Sequence, residues 1–439
     1  MDNEKAAISI FLAGIKGVMP ERLIRRSLSV TGSSIRIGDR EFDTGSLGRI
    51  FVIGAGKASA AMAHYVEAIL GDRISGGHVV VKYGHACKLR YIEVTEAGHP
   101  VPDYNGFGAT SRILNIAREA GENDIIICLL SGGGSALLTD IPEGLIPEDI
   151  AVLNSVLVRG GVPISEMNTV RKHLSYIKGG QLSKAVLPAN IVSLILSDVP
   201  GNRMDVIASG PTTPDNSSYA DALGILRDYG LISDVTTGVI RYLEDGMNGL
   251  KPETPGDGDP AFDKTYNYIC GTNMTALEAA QEEASLLGFN TMILGEELTG
   301  DSVAAADYLV ETALRIRNDG DVVKPACILA GGETTLRVTG TGEGGRNQHL
   351  ALVAASRLRN SPGITLLAGG TDGNDGPTDA AGAVVSSETF SRAFSSHIDP
   401  EKYIRDFDST NFFRIAGGHV ITGPTMTNVM DMAVIIVEE

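Results

Sequence analysis

The chain has 439 residues, 54 of them acidic and 36 basic, for a formal charge of -18, and 43% are apolar. That length holds roughly two or three domain equivalents around a large core. The excess of acid excludes nucleic acid and anionic membrane as general partners, so a small anionic ligand would need a local cluster of positive groups. No apolar run approaches a membrane span. The opening MDNEKAAISIFLAGIKG reads as an amphipathic first helix and not a signal peptide, because acids precede the apolar stretch and no small-residue cleavage site follows. Cys87, Cys128, Cys270 and Cys327 are far apart, three of them in apolar runs, which predicts buried thiols and fits a cytoplasmic protein.

In chain order, short apolar runs end in glycine-rich turns and lead into helical periods, the alternation of parallel sheets covered by helices. The fold class expected is α/β. RIFVIGAGKASAAMAHYVEAIL (49–70) is strand, turn and helix; GGHVVVKYG (76–84) is a strand; DIIICLLSGGGSALL (124–138) repeats the pattern. NIVSLILSDVPGN (190–202) is a buried strand whose loop starts at Asp198. The Gly-, Pro- and Asp-rich stretch 244–263 is the best linker, predicting domains over 1–250 and 265–439. Beyond it the alternation continues. CLLSGGGS, CILAGGET and LLAGGTDG resemble one another without a fixed period, as strand-end turns do.

Turns after parallel strands gather along one sheet edge, where ligands bind. GAGKAS supplies Gly54, Gly56 and Lys57; a lysine in a first helical turn opposes the helix dipole unless an anion sits beside it. The next strand ends in Lys82, not in the acid that holds a nicotinamide ribose, and no Walker A spacing surrounds Lys57. Ser131, Gly132, Gly133, Gly134 and Ser135 form a plausible phosphate nest. Residues 167–185 hold Arg171 and Lys178 without one acid; seven apart, these two share a helix face over two turns and could meet a carboxylate or phosphate. GTGEGGRNQ (340–348) frames Arg346 with glycines that would let a nucleotide approach the backbone. Asp372, Asp375 and Asp379 crowd one glycine-rich loop, a donor set that suits Mg²⁺. Together these are the parts of phosphoryl transfer.

The segments VIGAGKASAAMA, EAGHPVPD, LLSGGGSALL, NTVRKHLSYIKGGQL, LILSDVPGN, DVIASGPTTPD, GGETT, GEGGRNQ, GGTDGNDGPTDAAGA and GPTMTNVMD resemble, in order, the glycerate 2-kinases named for their C-terminal MOFRL domain. The resemblance implies a Rossmann-like N-terminal α/β domain, a C-terminal α/β domain, an active-site cleft between them, and ATP- and Mg²⁺-dependent phosphorylation of D-glycerate at the 2-hydroxyl. The family's motif residues fall on Lys57, Asp198, Glu333, Arg346 and Asp372: Lys57, Asp198 and Arg346 are expected to be catalytic and Asp372 with Glu333 to bind metal, or the roles of Asp198 and Asp372 are exchanged. From the turns themselves, ATP contacts are expected at Gly54, Gly56, Ser131, Gly132, Gly133, Gly134, Ser135, Gly344, Gly345 and Asn347, and substrate contacts at Arg171 and Lys178. A homodimer is allowed; nucleic acid and membrane are not partners. One departure stands out: Met426 occupies a position where the family is expected to have glycine. The alternatives are a hydroxypyruvate reductase, against which the missing ribose acid argues, and a non-catalytic nucleotide-binding regulator.

Overall fold

The computed structural model describes residues 2–320 and 322–438. Two helices, α1 (Asn3–Gly17) and α2 (Pro20–Ser27), lead into an antiparallel meander of β1 (Leu28–Thr31), β2 (Ser34–Ile37) and β3 (Arg40–Asp43). By their contacts the residues form two compact units. One spans Leu23–Cys270, and the other joins the chain from Gly271 onward to the first 22 residues. None of the described helices is long and apolar enough to cross a membrane.

The first unit is built on β4 (Ile50–Ala55), β5 (Ile74–Lys82), β6 (Glu93–Ala97), β7 (Ile125–Leu130), β8 (Asn190–Leu196) and β9 (Thr265–Gly271), in the order β6-β5-β4-β7-β8-β9. Strands β4 to β8 are parallel. Because the chain winds outward from β4 in one direction and from β7 in the other, the loops after these two strands diverge and open a crevice at their C-terminal ends. Those loops are GAGKAS and SGGGS. Helices α3 (Ser59–Leu70), α4 (Tyr104–Glu119), α5 (Gly134–Leu137), α6 (Pro147–Arg159), α7 (Ile164–Lys172), α8 (Gln181–Val186), α9 (Tyr219–Asp228) and α10 (Thr237–Met247) complete it. The sheet core includes Ile53, Val80, Ile113, Cys128 and Ile191, while Leu153, Leu157, Val170, Leu223 and Leu243 form a separate apolar cluster within α6, α7, α9 and α10.

The second unit has α11 (Asn273–Leu286), β10 (Asn290–Gly295), β11 (Gly300–Asp301), α12 (Ser302–Asp319), β12 (Ala326–Gly332), β13 (Thr334–Thr335), α13 (Arg346–Leu358), β14 (Ile364–Gly370), β15 (Gly382–Ser386), β16 (His419–Val420) and β17 (Asp431–Val437). Its main sheet runs β10-β12-β17-β14-β15-β16 and is mixed, since β10 and β12 are parallel but β17 runs antiparallel to both β12 and β14. The alternation in the sequence suggested parallel pairing, which this central strand departs from. All four cysteines are free, with Cys128 and Cys327 buried.

The division differs from the one expected at 244–263. That stretch is tied into the first unit: Thr254 Oγ1 donates to Asp215 at 3.0 Å and Asn216 Nδ2 to Asp257 at 2.6 Å. It then leads into β9, so the chain leaves the unit only after the sixth strand. Helix α1 belongs to the other unit because Gly14 and Gly17 let it lie against α11. A Cβ on Gly17 would stand 2.4 Å from Ala279 Cβ, and one on Gly14 would stand 3.0 Å from Ala276 O. Phe11 fills the space left by Gly369, and Arg392 Nη1 bonds Glu4 at 2.9 Å. Gly17→Val should therefore cost about 1–3 kcal/mol through overpacking, read as a lower urea midpoint. Gly108→Ala, at a helical position with open space around it, should be neutral or gain up to about 1 kcal/mol.

Candidate active site

In the first unit the crevice deepens into a cavity of about 390 Å³, within the size range of small-molecule sites. It brings together Gly133, Gly134, Ser135, Arg171, Lys178 and Asp198 from the sequence-derived set. Gly56 (φ +139°) is required in the turn after β4, because a Cβ there would lie 2.1 Å from Ser131 Oγ. Lys57 follows; its N–H donates to Gly132 O at 2.8 Å, which ties the two turns together. A Cβ on Gly133 would stand 2.9 Å from the His99 ring and 3.6 Å from Lys57 Cγ, so both side chains lie against the turn.

Some expected contacts go elsewhere. Ser131 is buried, and its hydroxyl accepts the Ala58 N–H at 3.0 Å, capping the turn into α3 where a phosphate was expected. Gly54 lies inside the sheet, where a Cβ would meet Leu129 O at 2.2 Å. Arg171 and Lys178 share the cavity but not a helix face, because α7 ends at Lys172 and Lys178 sits in the turn before α8.

Arg171 is largely buried; its Nε donates to Asn154 Oδ1 at 2.8 Å, and among the described residues no carboxylate forms an ion pair with it. Burial alone pulls its pKa down. The neighbouring Lys172 differs, pairing with Asp215 at 3.3 Å. Lys178 Nζ donates to Leu138 O; burial, partly offset by Asp140, brings its pKa down to about 8, with Arg171 adding to the fall. Burial raises the Asp140 carboxyl despite Lys178 and the donors Ser175 Oγ and Tyr176 N–H.

Sequence reasoning missed His99, Asn154 and Asn168. Burial first, then Lys57, Lys82 and His85, holds His99 down at about 4, so it is neutral near pH 7. Asn168 is buried with Nδ2 lacking any hydrogen-bond partner, while its Oδ1 is 3.1 Å from Ser209 Oγ, itself 3.0 Å from Ser135 Oγ. Ala208 (φ +51°) and Ser209 (φ +60°) are both left-handed beside the cavity, a strain of the kind that marks functional sites. His99 and Asn168 lie in the quoted motifs EAGHPVPD and NTVRKHL, but only the fold shows that they line the same cavity.

In the second unit, strand pairing sets Asp431 opposite both Gly332 and Gly370, and so beside the turns that carry Glu333 and Asp372. Arg346, first residue of α13, donates Nε and Nη2 to the two oxygens of Asp431 at 2.6 and 3.0 Å and Nη1 to Glu333 at 2.8 Å. Three of its five N–H groups are spent there, which leaves two. Burial lowers its pKa, but the bonds and charge of Asp431, then Glu333 and Asp375, outweigh that and raise it. Asp431 was not anticipated from the sequence.

The glycine frame of Arg346 has a packing cause. A Cβ on Gly340 or Gly342 would strike Asp406 or Asp408, one on Gly344 would lie 2.1 Å from Ser409 Oγ, and one on Gly345 would lie 2.2 Å from Asp375 Cγ. Asn347 is buried, with N–H and Nδ2 both on Asp375 Oδ1 at 3.0 and 3.3 Å, so its side chain is committed inside the unit. Asp372 is half-buried and accepts the Asn374 N–H at 3.1 Å.

Among the described residues no three His, Cys, Asp or Glu side chains form a metal cage. Mg²⁺ needs only one or two carboxylates when phosphates and water complete its shell. Asp372 and Asp431 fit that donor set: both flank Gly370, at 3.3 and 3.4 Å from where its Cβ would be.

Residues 6–244 match a domain of unknown function (DUF4147) and residues 326–431 match the MOFRL family. The D-glycerate 2-kinase of Thermotoga maritima is 38% identical over 433 residues, covering 98% of this chain and 97% of that one. The chain belongs to the glycerate 2-kinase family of the MOFRL type. The glycerate 2-kinase of Pyrococcus horikoshii is 36% identical, covering 100% of this chain and 98% of that one. The crystal structure of a Thermotoga maritima glycerate kinase superposes with a TM-score of 0.88 at 38% identity, each chain 99% covered. A putative hydroxypyruvate reductase of Agrobacterium vitis is 42% identical, over 89% of this chain and 87% of that one. In this member of the family Met426 has φ +61°, the conformation for which the expected glycine is suited.

Burial pushes Asp375 from 3.8 up to about 6, against the N–H groups of Gln348 and Asn347, with Asp431 adding to the rise. Between about pH 4 and 6 the unfolded chain has lost this proton while the folded chain keeps it, so the folded state loses stability as pH rises. Urea unfolding across that window should show Asp375→Asn gaining on the wild type by on the order of 2–3 kcal/mol.

Proposed function

We propose that the chain transfers the γ-phosphoryl group of ATP to the 2-hydroxyl of D-glycerate, giving 2-phosphoglycerate and ADP. The observation that carries this reading is the cavity that joins Asp198 to Arg171, a half-buried guanidinium without a counter-charge among the described residues. Such a cation is costly unless a ligand neutralises it, and a small carboxylate does so by a bidentate bond. Asn168 Nδ2 is a second waiting donor. Lys178, already bonded to Leu138 O, adds positive field more than direct contact.

Asp198 accepts the hydroxyl proton as the new O–P bond forms and the bond from γ-phosphorus to the β–γ bridging oxygen breaks, its electron pair leaving with ADP. Lys57 and Arg346 supply charge to the phosphoryl oxygens, Arg346 through its two remaining N–H groups. Asp372, with Asp431 or Glu333, would hold Mg²⁺, which supplies neutralisation of phosphate charge. The glycine turn at 132–134 brings backbone and the Ser135 hydroxyl to the cavity. Against the reductase reading, β5 ends in Lys82, where a nicotinamide ribose requires an acid.

Release of ADP that depends on D-glycerate, ATP and Mg²⁺ tests the reaction, and phosphorus NMR of the product identifies the hydroxyl. Lys57→Ala and Arg346→Ala should each lower kcat about 10²-fold or more with the fold intact, and Arg346→Lys should recover little, lacking the planar fork. Near wild-type turnover in either alanine variant would remove its assignment. Arg171→Met and Asn168→Ala should raise KM for glycerate about tenfold or more while leaving KM for ATP unchanged. Glycerol should be a very poor substrate, since it leaves Arg171 without a counter-charge; equal efficiency on glycerol and glycerate contradicts a carboxylate site.

A further inference from the structure

The second unit contains another cavity, about 570 Å³, that none of these roles uses. It lies at the C-terminal ends of the parallel strands β10 and β12, the edge where open α/β sheets take ligands. Its walls include Met274 at the start of α11, Leu294, Glu296, Glu297 and Leu298 at and after the end of β10, and Tyr308 on α12. Tyr308 is 50% exposed and makes no ring-to-ring contact among the described residues.

Three features select the ligand chemistry. An exposed aromatic face with Leu294, Leu298 and Met274 offers a flat apolar slot, which suits a heteroaromatic base. Strand β10 ends in Gly295 and is followed at once by Glu296, whose Oε2 is fixed by the Met274 N–H at 2.8 Å. This strand-end carboxylate is the kind of group that accepts from ribose hydroxyls, and it is the acid that β5 lacks. With two glutamates on its wall, the cavity repels phosphates. It continues toward the next strand end: the Leu298 N–H donates to Gly331 O at 2.8 Å, and Leu298 also stands beside Gly332 and Asp431. The slot therefore adjoins the strand end that carries Glu333 and the Arg346–Asp431 pair.

We propose that this cavity binds the nucleoside of ATP, the ribose hydroxyls donating to Glu296 and the base packing on Tyr308 and Leu298. The inference rests on the kinase reading, and it moves nucleoside recognition away from the glycine turns of the first unit. Calorimetric titration of the full chain with ADP, with 2′-deoxy- and 3′-deoxy-ADP and with inorganic tripolyphosphate tests it without turnover. Glu296→Gln and Tyr308→Ala should each weaken ADP binding about tenfold while tripolyphosphate binds as before. At least one deoxy analogue should bind the wild type about tenfold more weakly than ADP, and that difference should vanish in Glu296→Gln. Variants that bind ADP as tightly as the wild type, or a deoxy penalty unchanged in Glu296→Gln, overturn the proposal. A chain that binds ADP in this pattern yet releases none from ATP and glycerate keeps the nucleoside site and loses the kinase reading.

Discussion

Asp431 is the carboxylate on which the strand-end turns of the second unit depend. It opens β17, the strand that runs between β12 and β14, so one residue stands opposite the last glycine of each neighbour. The turns after those glycines carry Glu333 and Asp372, and the two-pronged bond to Arg346 draws the start of α13 to the same point. A half-buried ion pair is weak evidence of stability, because desolvation consumes much of the Coulombic gain. Its effect here is orientation: the contacts to Asp431 and Glu333 fix where the guanidinium points.

The first unit manages its charges differently. Lys172 has Asp215 as a counter-charge, whereas Arg171, one residue earlier, has only the neutral Asn154 amide oxygen. The cavity thus holds a cation without a counter-charge among the described residues, a buried amide donor without a partner and a half-buried acid, and a bare buried donor calls for an explanation. The strained pair Ala208–Ser209 points the same way. Its conformation is held by the bonds of Gly179 N–H to Ser209 O at 3.0 Å and Gly180 N–H to Gly210 O at 2.8 Å, so the surrounding backbone offsets a cost of order 1–3 kcal/mol per residue.

Much of the architecture was legible because it is local. Apolar runs such as IIICLL and ITLLAGG, each closed by a small-residue turn, read as strands and are strands, and the three similar runs end β7, β12 and β14. The glycine expected in place of Met426 corresponds to a real backbone need, its φ of +61°. The membership of α1 was not legible, because Gly14 and Gly17 acquire meaning only against Ala276 and Ala279, more than 250 positions away. Nor was the antiparallel sense of β17, which no local pattern encodes.

By itself, then, the sequence determined which turns follow strands and which of them carry lysine, arginine and acids, since strand and helix periods are properties of neighbouring residues. Only the tertiary structure decided what each turn residue does. The glycines around Arg346 make room for Asp375, Asp406, Asp408 and Ser409; Ser131 caps a helix; Asn347 serves Asp375; Asn168 is left with a bare donor. The physical reason is the same each time: a steric clash, an ion pair or an unsatisfied hydrogen bond is settled by whichever distant residue the fold brings within about 3 Å.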